Sequence, residues 1–190
     1  MTATVLQPSS ITGRKPGLAV VAGRVLALAG AVFGLANLFQ YGVYSGLLPL
    51  HQAALGLSWP IAVMVFVINI VRLRRAGGEA GRRAAGWSRM GIAASLTAAL
   101  GLLALSIMQK DFGLMAWMTP VGLGLYAIAW ATAAFRTRRL WMACQAVGAL
   151  CLAGLTVGLL GTPDQYLFYA IGLFAFAFAP GIYLILSDKS

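Results

Sequence analysis

Asn37, Gln40 and Tyr44 follow one another at intervals of three and four residues in NLFQYGVY (37–44). A helix would set all three on one face. Amides and phenols exchange hydrogen bonds without changing charge near neutral pH. The chemistry open to this patch is therefore recognition. It would hold a polar solute, or it would tie one helix to another at about 0.6 to 2 kcal/mol a contact. The second role is the plainer one. Asn69 and Gln145 are the other amides inside apolar stretches.

Acid–base chemistry would have to come from elsewhere. The four carboxylates are Glu79, Asp111, Asp164 and Asp188, and all of them fall in polar edges rather than in apolar runs. A proton-coupled transporter commonly keeps an ionisable group inside its spans. Hydrolysis within a membrane would need a carboxylate pair, a serine–histidine pair or a zinc site. None of these patterns is present, so no enzyme activity, no metal and no cofactor is expected. His51, the single histidine, lies in LPLHQ and reads as a solvated loop residue. Cys144 and Cys151 are seven apart and share a helix face, but roughly 10 Å of axial rise separates them. That is too far for a disulfide within one helix, and they read as packing thiols.

The elements that would carry these groups are apolar. Of 190 residues, 61% are hydrophobic and 9% charged, against about 25% charged in a soluble domain. A water-soluble fold of this size has too little interior to hide so much apolar surface. The expected fold is an all-α integral membrane protein, a six-transmembrane-helix bundle with no soluble domain. Its spans should lie near 25–47, 53–71, 90–108, 112–135, 140–160 and 166–186, each about the length a bilayer demands. Residues 1–16 read as a short cytoplasmic tail, 17–187 as one transmembrane domain, and 188–190 as a cytoplasmic end. The tail and first apolar run also resemble a signal peptide, with small residues around Ala36. The apolar stretch continues well past such a site, which favours an uncleaved span.

Charge orients the bundle. The connection after the second span carries Arg72, Arg74, Arg75, Arg82, Arg83 and Arg89. The connection after the fourth carries Arg136, Arg138 and Arg139. With Arg14, Lys15, Arg24 and Lys189 these make thirteen of the fourteen basic residues, and only Lys110 falls on the opposite side. Basic residues are retained in the cytoplasm, so both termini are expected inside (N-in, C-in). The same arginines are expected to contact anionic headgroups or a partner. Nucleic acid is disfavoured, because the Arg-rich stretch has one aromatic, Trp87, and no element long enough to read a groove.

Pro60, Pro120 and Pro180 recur at 60-residue intervals, each in an even-numbered span, and hint at three repeated hairpins. Kinks are expected there. Small residues at four-residue spacing (Gly30 and Gly34, Gly42 and Gly46, Gly91 with Ser95 and Ala99, Gly154 and Gly158) suit close helix contacts and are expected to line the bundle interior. Phe168, Phe174, Phe176 and Phe178 suit lipid or a partner. Trp59, Tyr166 and Tyr169 suit one interfacial belt, and Trp87, Trp141 and Tyr183 the other.

The expected role is a non-catalytic regulatory, sensing or assembly partner in the membrane, with a second membrane protein or a further copy of the chain as companion. A small-solute transporter or channel component is the alternative. The bias to Arg, Ala and Gly suggests a bacterium, and hence the inner (plasma) membrane.

Overall fold

The computed structural model describes residues 17–51, 54–76 and 78–187, with the side chains of Leu18 and residues 74–89 excepted. The described residues form helices and turns and no strand. This follows from the absence of water: in lipid only a helix satisfies its own backbone. Six helical segments are long and apolar enough to cross a membrane: Ala19–Tyr44, Leu55–Leu73, Met90–Gln109, Phe112–Thr137, Leu140–Gly158 and Asp164–Leu186. The chain is thus built as a multi-pass membrane protein.

Helix α1 (Leu18–Tyr44) starts earlier than the span assigned from sequence, and Arg24 belongs to its second turn. It ends where Gly46 takes a φ of +77° and Pro49 follows. Helix α2 (Leu55–Ala76) and helix α3 (Gly78–Gln109) carry the Arg-rich stretch, whose described residues are helical backbone. On a rise of roughly 1.5 Å per residue, the 32 residues of α3 outrun its 20-residue apolar span. A six-residue 3₁₀ turn, Phe112–Trp117, leads into α4 (Met118–Thr137), and α5 follows (Leu140–Gly158). The sixth span is α6 (Asp164–Leu173), a π turn at Phe174–Phe178, and α7 (Ala179–Leu186).

Contacts fix the directions. Arg24 and Arg72 line one cleft while Gln40 bonds Ser58, so α1 and α2 are antiparallel. Gly23 meets Gly181 and Gly34 meets Phe174, so α1 also runs against the sixth span. Thr119 bonds Gln165 and Trp130 bonds Phe176, the same separation of 46 in each case, so the fourth and sixth spans are parallel. Gly148 meets Phe176 and Gly172 meets Leu152, which sets α5 antiparallel to the sixth. One end of the bundle therefore holds Arg24, Arg72, Arg136, Arg138 and Arg139. The other holds Lys110, Asp111 and Asp164.

Helix α1 is the hub and touches α2, α3 and every part of the sixth span. The apolar core sits between the fourth, fifth and sixth spans, where Leu123, Ala153, Tyr169 and Leu173 are buried with Phe33, Tyr126 and Leu152 against them. The hairpin of α2 and α3 is peripheral. Within this chain 44% of α1's span is buried, against 11% for α2 and 6% for α3.

Several sequence readings change here. Gly30 and Gly34 do face a neighbour, the sixth span, but Gly91, Gly154 and Gly158 have nothing within 4 Å of a Cβ and do not line the interior. Phe174 covers Gly34 and Phe176 covers Gly148, so two of the phenylalanines assigned to lipid or a partner pack inside the bundle. Tyr169, assigned to an interfacial belt, is core. Pro60 lies inside α2, whereas Pro120 and Pro180 each sit in the first turn of an α-helix that follows a 3₁₀ or π turn.

Candidate functional site

A helix packed on several sides exposes little, so a polar group on α1 must find a protein partner. Asn37 and Gln40 are 1% and 5% exposed. The Asn37 Nδ2 donates back to Phe33 O at 2.8 Å, within its own helix. The Gln40 Nε2 reaches α2, donating to Ser58 Oγ at 3.0 Å, and Ser58 Oγ donates to Leu55 O at 2.8 Å. The Gln40 Oε1 is buried and accepts nothing from the described residues. Ser106, fully buried on the bundle-facing side of α3, likewise has an unpartnered hydroxyl. Tyr44 parts from this pair. It is exposed at the end of α1 and stacks on Tyr166, with centroids 5.2 Å apart and planes 7° from parallel. Two of the three residues in the sequence patch thus share a buried face, and the third clamps α1 to α6.

A second buried amide was not legible as such. Gln165 lies in GTPDQY, which reads as a helix edge, yet it is fully buried. Its Nε2 donates to Thr119 Oγ1 at 2.8 Å and to Ala116 O, and its Oε1 accepts from Gly161 N at 3.1 Å. One side chain so closes the turn before α6 and pins it to the start of α4. The only signal in the sequence was a glutamine in the first turn of a span, facing the same way as Tyr169.

Trp130 supplies the third polar link. Proline has no N–H, so Pro180 leaves the carbonyl four residues back, Phe176 O, without its helical donor. Trp130 Nε1 donates to that carbonyl at 2.7 Å. The indole then continues an aromatic run to Trp141 and Tyr183 at centroid distances of 5.4 and 5.6 Å.

The arginine end holds a cleft of about 360 Å³ between α1 and α2, lined by Arg24, Leu28, Asn69, Arg72 and Leu73. From sequence, Arg24 and Arg72 belong to different connections. The antiparallel register of α1 and α2 brings them to one opening. Arg136, Arg138 and Arg139 are exposed around the α4–α5 turn, with the Arg138 guanidinium 5.5 Å from the centre of the Phe135 ring. The side chains of Arg74, Arg75, Arg82, Arg83 and Arg89 lie outside the described residues.

No protein-family model, curated protein or solved structure matches this chain. Function therefore rests on the groups themselves. Among the described residues no three His, Cys, Asp or Glu side chains gather as metal ligands. Cys144 and Cys151 are free thiols on the exposed face of α5. What the described groups offer is neutral hydrogen bonding in the interior and attraction of anions at one end.

Proposed function

We propose that this chain is a non-catalytic subunit of a membrane assembly, set in the inner (plasma) membrane of a bacterium with both termini in the cytoplasm. The α2–α3 hairpin is its docking element. The observation that carries this reading is the outward face of α3. Ala94, Thr97, Gly101 and Ala104 follow at intervals of three, four and three, and all are exposed. A Cβ on Gly101 would meet nothing within 4 Å. Small residues on one face let a second helix backbone approach closely, and in lipid that packing, not hydrophobicity, drives association. Met90 and Met108, both strongly exposed at the ends of this face, supply adaptable contacts. The orientation draws on the five described arginines at one end of the bundle and on retention of basic residues in the cytoplasm.

Affinity purification of the full chain in a mild detergent tests the proposal. A companion at fixed stoichiometry is expected, and Gly101→Leu should release it while the helical content stays unchanged. Recovery of a lone, homogeneous particle would refute it. A second reading, a small-solute transporter or channel component, draws on one observation, the open acceptor of Gln40 beside Asn37 in the interior.

A further inference from the structure

We infer that the cleft between α1 and α2 is a binding site for one anionic phospholipid, its phosphate held by Arg24, Asn69 and Arg72 and its chain lying on Leu28. This is a distinct claim from the docking role of α3 and does not depend on it. Four features of the cleft support it. First, Arg24 and Arg72, exposed residues of different helices, border one open cleft of about 360 Å³. Like charges gathered on one low-dielectric wall repel each other, and an anion between them relieves that repulsion. A guanidinium also presents a planar fork of donors that matches phosphate oxygens.

Second, no carboxylate contributes to the lining, and no ion pair to either arginine occurs among the described residues. Third, Asn69 is half-committed. Its Nδ2 donates one hydrogen to Val65 O at 2.8 Å, which fixes the amide and leaves its second hydrogen to donate. Fourth, the rest of the lining is apolar. Leu28 lies one turn from Arg24 on the bilayer side of the charged groups, and Leu73 closes the cleft beside Arg72. A free phosphate gains nothing from leucine. An amphiphile with a phosphate at one end gains from both, which favours a lipid headgroup over a soluble phosphate. Basic recesses between membrane helices commonly take such headgroups.

The experiment uses the full chain in a neutral detergent, titrated with short-chain phosphatidylglycerol, short-chain phosphatidylcholine or glycerol phosphate, with bound lipid read by native mass spectrometry. Phosphatidylglycerol is expected to remain bound at one equivalent, and the other two are not. Each arginine near an anionic group is worth about fivefold in affinity. Arg24→Gln with Arg72→Gln should therefore weaken retention roughly 25-fold, and Arg24→Lys with Arg72→Lys should recover part of it. Arg136→Gln with Arg139→Gln removes the same charge from the same end of the bundle and should change retention little. Equal loss in the two double-glutamine variants would mean diffuse attraction to charge and would overturn the site. Binding of glycerol phosphate as tight as that of phosphatidylglycerol would overturn the lipid assignment. Circular dichroism and size exclusion on each variant separate a lost site from a lost fold.

Discussion

Replacing Gly30 by alanine should destabilise the bundle, whereas the same change at Gly154 should not. A Cβ at Gly30 would lie 2.7 Å from Phe178 Cβ and 2.8 Å from Phe178 Cα. Carbon atoms settle at about 3.5 to 4.0 Å, so α1 and the sixth span would have to part by close to 1 Å. Overpacking of this kind costs about 1 to 3 kcal/mol. The upper end applies, because the atoms met include the backbone of a helix and not the end of a flexible side chain. Alanine returns about 0.8 to 1 kcal/mol through helix propensity. The net loss is therefore about 2 kcal/mol. At Gly154 nothing lies within 4 Å, so only the propensity gain remains. Gly181→Ala meets Gly23 O at 2.7 Å across the same crossing. Once Gly30→Ala has parted the helices, adding Gly181→Ala should cost less than it does alone. Unfolding in mixed anionic and neutral detergent, followed by circular dichroism, gives all four free energies. Gly30→Ala and Gly154→Ala moving stability in the same direction, by similar amounts, would refute the close crossing.

Two further outcomes follow from the polar links. Trp130→Phe leaves Phe176 O without a donor and should cost about 1 to 3 kcal/mol. In a Pro180→Ala background, which restores a backbone N–H four residues on, the cost should shrink; an unchanged cost in the same unfolding assay would show that the indole contributes only bulk. Asn37→Leu should abolish flux of any transported solute in proteoliposomes and leave the fold intact, since the Asn37 amide bonds only Phe33 O of its own helix among the described residues. Full flux, or no flux of any solute in the wild-type chain, would remove the transporter reading.

The helical class and six membrane-capable segments were legible because hydropathy over some twenty residues reports them without any knowledge of contacts. What fills the space between helices was less so. Gly30 and Gly154 have the same kind of spacing in the sequence, and only the contact order shows that one meets Phe178 and the other nothing. Tyr169 and Tyr166 are three apart at one helix end, and both read as interfacial. A face difference that hydropathy does not register sends Tyr169 into the core and Tyr166 onto Tyr44. Gln165 was masked by its neighbours: Gly161, Pro163 and Asp164 mark a turn, and a glutamine beside them looks solvated. Arg24 and Arg72, 48 positions apart, meet only through the register of α1 on α2. That register is set in part by Gln40 on Ser58 and by Phe33 between Trp59 and Phe66.

That register links the two surfaces singled out above. Helix α1 is held to the sixth span by backbone close enough to exclude a methyl group, and the sixth span is held to the fourth by Gln165 and Trp130. Among the described residues helix α2 is held to α1 by the Gln40–Ser58 hydrogen bond and by Phe33 against Trp59 and Phe66. At the arginine end Arg24 and Arg72 border one cleft. An anion bound there would bridge the two helices. The hairpin would then be fixed at both ends, and with it the angle at which α3 offers its small residues to a partner. In a chain with so few charged residues, the position of α3 would thus come to depend on the lipid at its foot.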